Sequence, residues 1–211
     1  MHRIRIGLIA FVLAASFSGA GCLLIPEIQD RVVQLATNGS ASVVFEANGP
    51  ETASLDEVSV VSIGDGTELD LRRILEDAGV DVSEVVDAKV EKVEYAITRA
   101  DPMASRTVED KVTVQWQGTE KDLITGFSAN VGVPTGYRVA TLQTAGVGEI
   151  NRALKSVLDQ LKAGLTPTES VTFRVTGTTT PNSDSSRAID FEYSVKLTVS
   201  IVGSVSMSVP D

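Results

Sequence analysis

Two kinds of side chain in this 211-residue sequence could do chemistry: one thiol, Cys22, and 28 carboxylates. The single histidine is His2, at the extreme N-terminus. The chain beyond it therefore has no Ser-His-Asp or Cys-His arrangement and no ordinary zinc or copper ligand set, because each needs an imidazole or a second thiol. No glycine-rich phosphate loop occurs; "GVGEIN" is too short and lacks the third glycine in register. Two chemistries need no histidine. A carboxylate pair can hydrolyse glycosides, and among so many acids some pair must lie close by chance. The single tryptophan, Trp116, and 5% aromatic content leave little surface on which a sugar could stack. A Ser-Lys nucleophile is the other, but no Ser-x-x-Lys of the penicillin-binding type is present.

Acids could also hold calcium. "GDGTELD" gathers Asp65, Glu68 and Asp70 beside a glycine turn, and oxygen ligands on a turn suit Ca²⁺. Their spacing is not that of an EF-hand loop. The same residues serve a turn followed by a helix cap, which is the preferred reading, with Thr67 and Asp70 as a capping box. Glu76, Asp77, Asp81, Glu84 and Asp87 describe a solvated acidic face, and "PNSDSS" a connecting loop. No metal or cofactor is expected.

The thiol has a more informative setting. Arg3 and Arg5 give a positive start, Ile6 to Phe17 is uncharged and mostly apolar, and small residues follow from Ser18 to Gly21. That layout is an export signal: the cationic end stays on the cytoplasmic side while the apolar run enters the membrane. Gly19-Ala20-Gly21-Cys22 resembles the lipobox of bacterial lipoproteins. The resemblance implies removal of residues 1–21 and a diacylglycerol on Cys22. It covers these 22 residues only. Two alternatives stay open: cleavage after Ala20 without lipid, and an uncleaved membrane helix over residues 6–26, which is just long enough to span. In Gram-negative lipoproteins an Asp after the cysteine favours inner-membrane retention. Leu23 stands there, so the resemblance implies the outer membrane, facing the periplasm, if the cell has one.

The rest is acidic. The formal net charge is −10, and losing Arg3 and Arg5 would make it more negative. Such a surface repels phosphate backbones, so nucleic acid is not an expected partner. With one cysteine the exported part has no internal disulfide and depends on its core, which a 43% hydrophobic composition can supply.

The elements that would position these groups are mostly strands. Residues 22–40 look like a lipidated cysteine and tether, and residues 41–211 like a single β-rich domain. Ser42 to Ala47, between Asn38-Gly39 and Asn48-Gly49 turn signals, is a first strand candidate. "LDEVSVVSIG" is a second, ending at Gly64. Leu71, Ile74, Leu75 and Ala78 predict a helix over 68–78 that stops at Gly79. Three alternating segments follow, around Val93-Tyr95-Ile97, Val112-Val114-Trp116 and Leu123-Thr125-Phe127-Ala129-Val131; three strands in sequence predict a meander. Ile150, Ala153, Leu154, Val157, Leu158 and Leu161 mark an amphipathic helix at 149–163 ended by Gly164. The last segment predicts a hairpin, with Val171-Phe173-Val175 on one arm. Seven apolar positions alternate from Ile189 to Ile201 on the other. The fold class is mainly β: an antiparallel β-sandwich, or an α+β sheet with one amphipathic helix packed on it and a second short helix. The expected function is a membrane-anchored, non-enzymatic binding or structural domain of the cell envelope, with a protein or polymer partner. Alternatives are an apolar-ligand (lipid) module and a carboxylate-dependent hydrolase.

Overall fold

A computed structural model describes residues 31–50, 55–101, 107–180 and 188–207. The expected export signal at residues 1–21, Cys22 and the "PNSDSS" stretch lie outside them. The elements run β1 (Arg31–Pro50), β2 (Leu55–Gly64), α1 (Leu71–Ala78), a 3-10 turn (Val82–Glu84), β3 (Val85–Arg99), β4 (Thr107–Trp116), β5 (Thr119–Asn130), β6 (Arg138–Val139), α2 (Thr144–Lys162), β7 (Thr168–Thr180) and β8 (Ala188–Met207). They form two antiparallel four-stranded sheets in the orders β1-β8-β3-β6 and β2-β7-β4-β5. The expected mainly-β class is what the chain adopts, as a sandwich.

The pairing has one simple rule. β4 pairs with β5, β3 with β6, β2 with β7 and β1 with β8. The chain is thus a nested hairpin with its tip at Gln117-Gly118. Two further pairings, β3 with β8 and β4 with β7, join the nested pairs into two sheets. This is the strand order of an eight-stranded jelly roll, two Greek keys sharing one core. Both tip residues have positive φ, Gln117 at 45° and Gly118 at 79°, as a two-residue hairpin turn demands.

Strand alternation builds the core. Phe191, Tyr193, Val195, Leu197, Val199 and Ile201 of β8 all point inward and are buried, facing Val171, Phe173 and Val175 of β7 and Val112 and Val114 of β4 in the same cluster. β8 lies between β1 and β3 along its length and so is the spine of its sheet. Every position of the predicted α2 stripe is buried, and α2 packs on β3 of one sheet and on β4, β5 and β7 of the other. One continuous apolar cluster takes side chains from both sheets and both helices.

Several expectations change. β1 begins at Arg31, so residues 31–40 of the expected tether are strand. Asn38-Gly39 is no turn: it lies mid-strand opposite Ser200 and Val199. A Cβ at 39 would meet the Ile74 side chain, where α1 lies across β1. The short helix starts at Leu71 with Asp70 as its N-cap, accepting from the Arg73 N–H at 2.9 Å. Thr67 instead donates its hydroxyl to the Gly64 carbonyl at 2.9 Å. The capping box is one turn later, between Asp81 and Glu84. There two hydrogen bonds from Ser83 hold the Asp81 carboxyl below the usual range. The predicted meander is split, since β3 is in one sheet and β4–β5 in the other. The predicted final hairpin is split in the same way, with β7 and β8 in opposite sheets.

Parts of three sheet edges are covered by local chain. Gln143 N–H donates to Leu123 O at 2.9 Å along β5. Thr135, β6 and Ala140 track the edge of β3, with Thr135 N–H on Ile97 O at 3.0 Å and Ala140 N–H on Val93 O at 2.9 Å. The last residues of β2 bond residues 68 and 69. Covered edges cannot recruit foreign strands.

The sandwich has two distinct ends. Arg31 pairs with Met207, and β3 starts opposite Gly203, so the first residues of β1 and the last of β8 run beyond the sheet as a two-stranded ribbon. The 3-10 turn and the C-terminus of α2, where Lys162 bonds the Val85 carbonyl at 2.6 Å, lie at this near end. At the far end Pro50 pairs with Ala188, and Thr107 with both Asn130 and Thr180.

Candidate functional site

The three acids weighed for calcium are used by the protein itself. Asp65 takes the Arg72 guanidinium at 2.9 Å. Glu68 accepts the Ser62 N–H at 3.2 Å. Asp70 caps α1 and also accepts the Gly66 N–H at 2.8 Å. Their oxygens face peptide and guanidinium donors rather than one another. Among the described residues no group of three His, Cys, Asp or Glu side chains converges as a metal site would require. Cys22, the other site residue read from the sequence, is outside the described residues. β1 starts at Arg31, with residues 23–30 between them.

The described residues hold one polar cluster at the edge of the core, where α2 crosses the near ends of β4 and β7. Alternation along β4 turns Trp116 inward after Val112 and Val114. Its indole N–H donates to Glu169 at 3.1 Å. The other oxygen of Glu169 accepts from the Ser156 hydroxyl at 2.8 Å and the Gln160 amide at 3.1 Å. Arg152, four residues before Ser156 and so on the same face of α2, sets its guanidinium 5.9 Å from the Trp116 ring centroid. It also pairs with Glu149, three residues earlier. Glu149 is only 1% exposed. One of its oxygens meets Arg152, and the other has no hydrogen-bond partner among the described residues.

The chemistry of this cluster is structural. Glu169 has donors on both oxygens, which fixes α2 against β7. Glu149 brings a charge into the core edge, and Arg152 neutralises it while stacking on the only tryptophan. The sequence does not single out Glu149, because it sits beside Ile150 in a helix whose pattern is amphipathic. The available signal was a carboxylate in line with Ala153 and Gly146, with an arginine three residues on. Arg152→Ala should cost about 2 kcal/mol, less than a fully buried pair because the arginine is half exposed. The double change Arg152→Ala with Glu149→Gln should recover much of that loss. Urea unfolding followed by Trp116 fluorescence reads both; equal stability of the two variants would refute the pairing.

Beside α2, on the solvent side, a shallow groove of about 150 Å³ runs between the helix and the start of β3, lined in part by Val86, Asp87, Lys155 and Lys162. The inward stripe of α2 is spent on the core: Ile150, Ala153, Leu154 and Val157 are all at 0% exposure.

No family model matches the chain, and no curated protein sequence does. Three solved chains match it. One is the decameric BFDV capsid protein, at 10% identity over 81% of this chain and 99% of that one, with a TM-score of 0.36. A likeness that slight carries nothing for function. No helix among the described residues is long and apolar enough to cross a membrane.

Proposed function

We propose that this chain is a lipid-anchored cell-envelope protein whose β-sandwich works by binding, as a non-enzymatic module for an envelope protein or polymer. The observation that carries the reading is the order of the N-terminus: positive start, apolar run, Gly19-Ala20-Gly21-Cys22, and a strand beginning soon after, at Arg31. The similarity to lipoprotein signals supports Cys22 as the lipid attachment point, and Leu23 after it supports an outer-membrane address. The short spacer fits a domain held close to its membrane. Acyl chains in pairs or more make such an anchor stable. The engagement of Asp65, Glu68, Asp70 and Glu169 in caps, ion pairs and hydrogen bonds supports a binding rather than a catalytic role.

The test is intact mass of the protein from its native membrane, beside a Cys22→Ala variant. The expected result is loss of residues 1–21 and added acyl mass in the wild type alone. An intact N-terminus would make residues 6–26 a membrane helix. Cleavage near Ala20 without lipid would make the domain a diffusible exported protein. Either result would overturn the anchor.

A further inference from the structure

The groove beside α2 has an unusual charge layout. Lys155 and Lys162 come from the helix, as does Asp159, and Asp87 from β3; Val86 and Leu158 supply apolar wall. Its volume of about 150 Å³ would hold roughly five waters. Val86 is 66% exposed at its mouth, the most exposed class of large apolar side chain among the described residues. Two ammonium groups and two carboxylates around one small depression match a ligand that carries both signs.

The charges are available for exchange: Asp87 has only a long, exposed pair with Lys89 at 3.7 Å. Lys155 and Asp159 pair at 2.6 Å, but both are well exposed, and such pairs contribute little. Lys162 uses one donor on the Val85 carbonyl, and an ammonium has three.

Position selects the ligand. Val86 lies between Val85, opposite Gly203, and Asp87, opposite Val202, which is level with Leu35 and Ala36 of β1. The groove is therefore at the near end, a few residues from where the chain leaves toward Cys22. Residues 23–30 can span at most about 29 Å even when fully extended. If Cys22 carries the anchor, the surface within reach of this end is a lipid leaflet.

We propose that the groove docks the ethanolamine headgroup of a phospholipid in the leaflet that holds the anchor; the inference rests on the lipid-anchor reading. The phosphate meets Lys155 and Lys162. The primary ammonium meets Asp87 and Asp159. Val86 and Leu158 lie against the glycerol methylenes. An anionic headgroup lacks the group that the two aspartates need, and a domain of this net charge is repelled by anionic surfaces. A choline headgroup lacks N–H donors for the same carboxylates.

The full chain purified from its membrane should be reconstituted in vesicles of phosphatidylcholine, with or without phosphatidylethanolamine or phosphatidylglycerol. Lysine acylation read by mass spectrometry then reports contact. With phosphatidylethanolamine, Lys155 and Lys162 should label several-fold less than in phosphatidylcholine alone, while Lys111 and Lys121 on the other sheet stay constant. Asp87→Asn with Asp159→Asn should abolish that protection and create one in phosphatidylglycerol. Equal labelling in all vesicles, or equal protection by phosphatidylglycerol in the wild type, overturns the proposal. The two readings fail separately. Absence of acyl mass on Cys22 removes the anchor, and the groove is then tested with dihexanoylphosphatidylethanolamine in solution. Unchanged amide resonances at Val86–Ala88 would overturn it by itself.

Discussion

Gly146→Val should destabilise the domain by about 3 kcal/mol or more, at the upper end of what overpacking does. Gly146 sits in the first turn of α2, pressed on β5. A Cβ there would overlap the Asp122 carbonyl oxygen and lie 2.7 Å from Leu123 Cα and 2.8 Å from the Asp122 carbonyl carbon. All three are backbone atoms, so no rotamer relieves the clash. The helix would have to lift, and with it the whole inward stripe from Ile150 to Leu161. Gly148, two residues later, is the control. A Cβ at 148 meets nothing within 4 Å, so Gly148→Ala should add about 0.5–1 kcal/mol by helix propensity. Urea unfolding of the two variants should therefore move in opposite directions. Similar shifts would mean that α2 does not rest on β5 as described.

Phe173→Ala is the second large effect, expected at about 3–5 kcal/mol. Phe173 is 1% exposed in β7, paired with Ser59 of β2 and Val114 of β4. Its ring faces the neighbours that fill the sandwich, so removing it leaves a cavity that stiff strands on both sides cannot close. Val58→Ala, on the outer face of the adjacent strand at 57% exposure, should stay within about 0.5 kcal/mol. Thermal or urea melts separate the two; a mild Phe173→Ala would show that the core yields around it.

Local pattern carried the elements well. "LDEVSVVSIG" is β2 to the residue, because alternating valines with a closing glycine have no competing period. The α2 stripe is buried throughout because i, i+3, i+4 spacing is a property of one helix alone. What differs is which distant strands pair. Asn38-Gly39 has a turn's composition, yet the glycine lies against Ile74, far along the chain. The meander and the last hairpin assumed that consecutive strands pair, whereas β3 and β8 find partners across the nested topology. β6 is two residues long and carries no pattern at all. In "GDGTELD" the residue that caps α1 is Asp70, while Thr67 bonds back to the Gly64 carbonyl. The Trp116–Glu169 contact joins residues 53 apart and had no local trace.

The nested hairpin also dictates an order of assembly. The β4–β5 turn closes across two residues, while β1 waits for β8, and the first register pair joins Arg31 to Met207. Loop-closure entropy makes the inner pairs cheap to form and the outer pair costly until the inner ones have shortened the loop. One sheet cannot be completed before the twenty residues of β8 are available, since β8 is the partner of both β1 and β3. The β1–β8 pair, whose register ends at Arg31 and Met207, therefore comes last in that order.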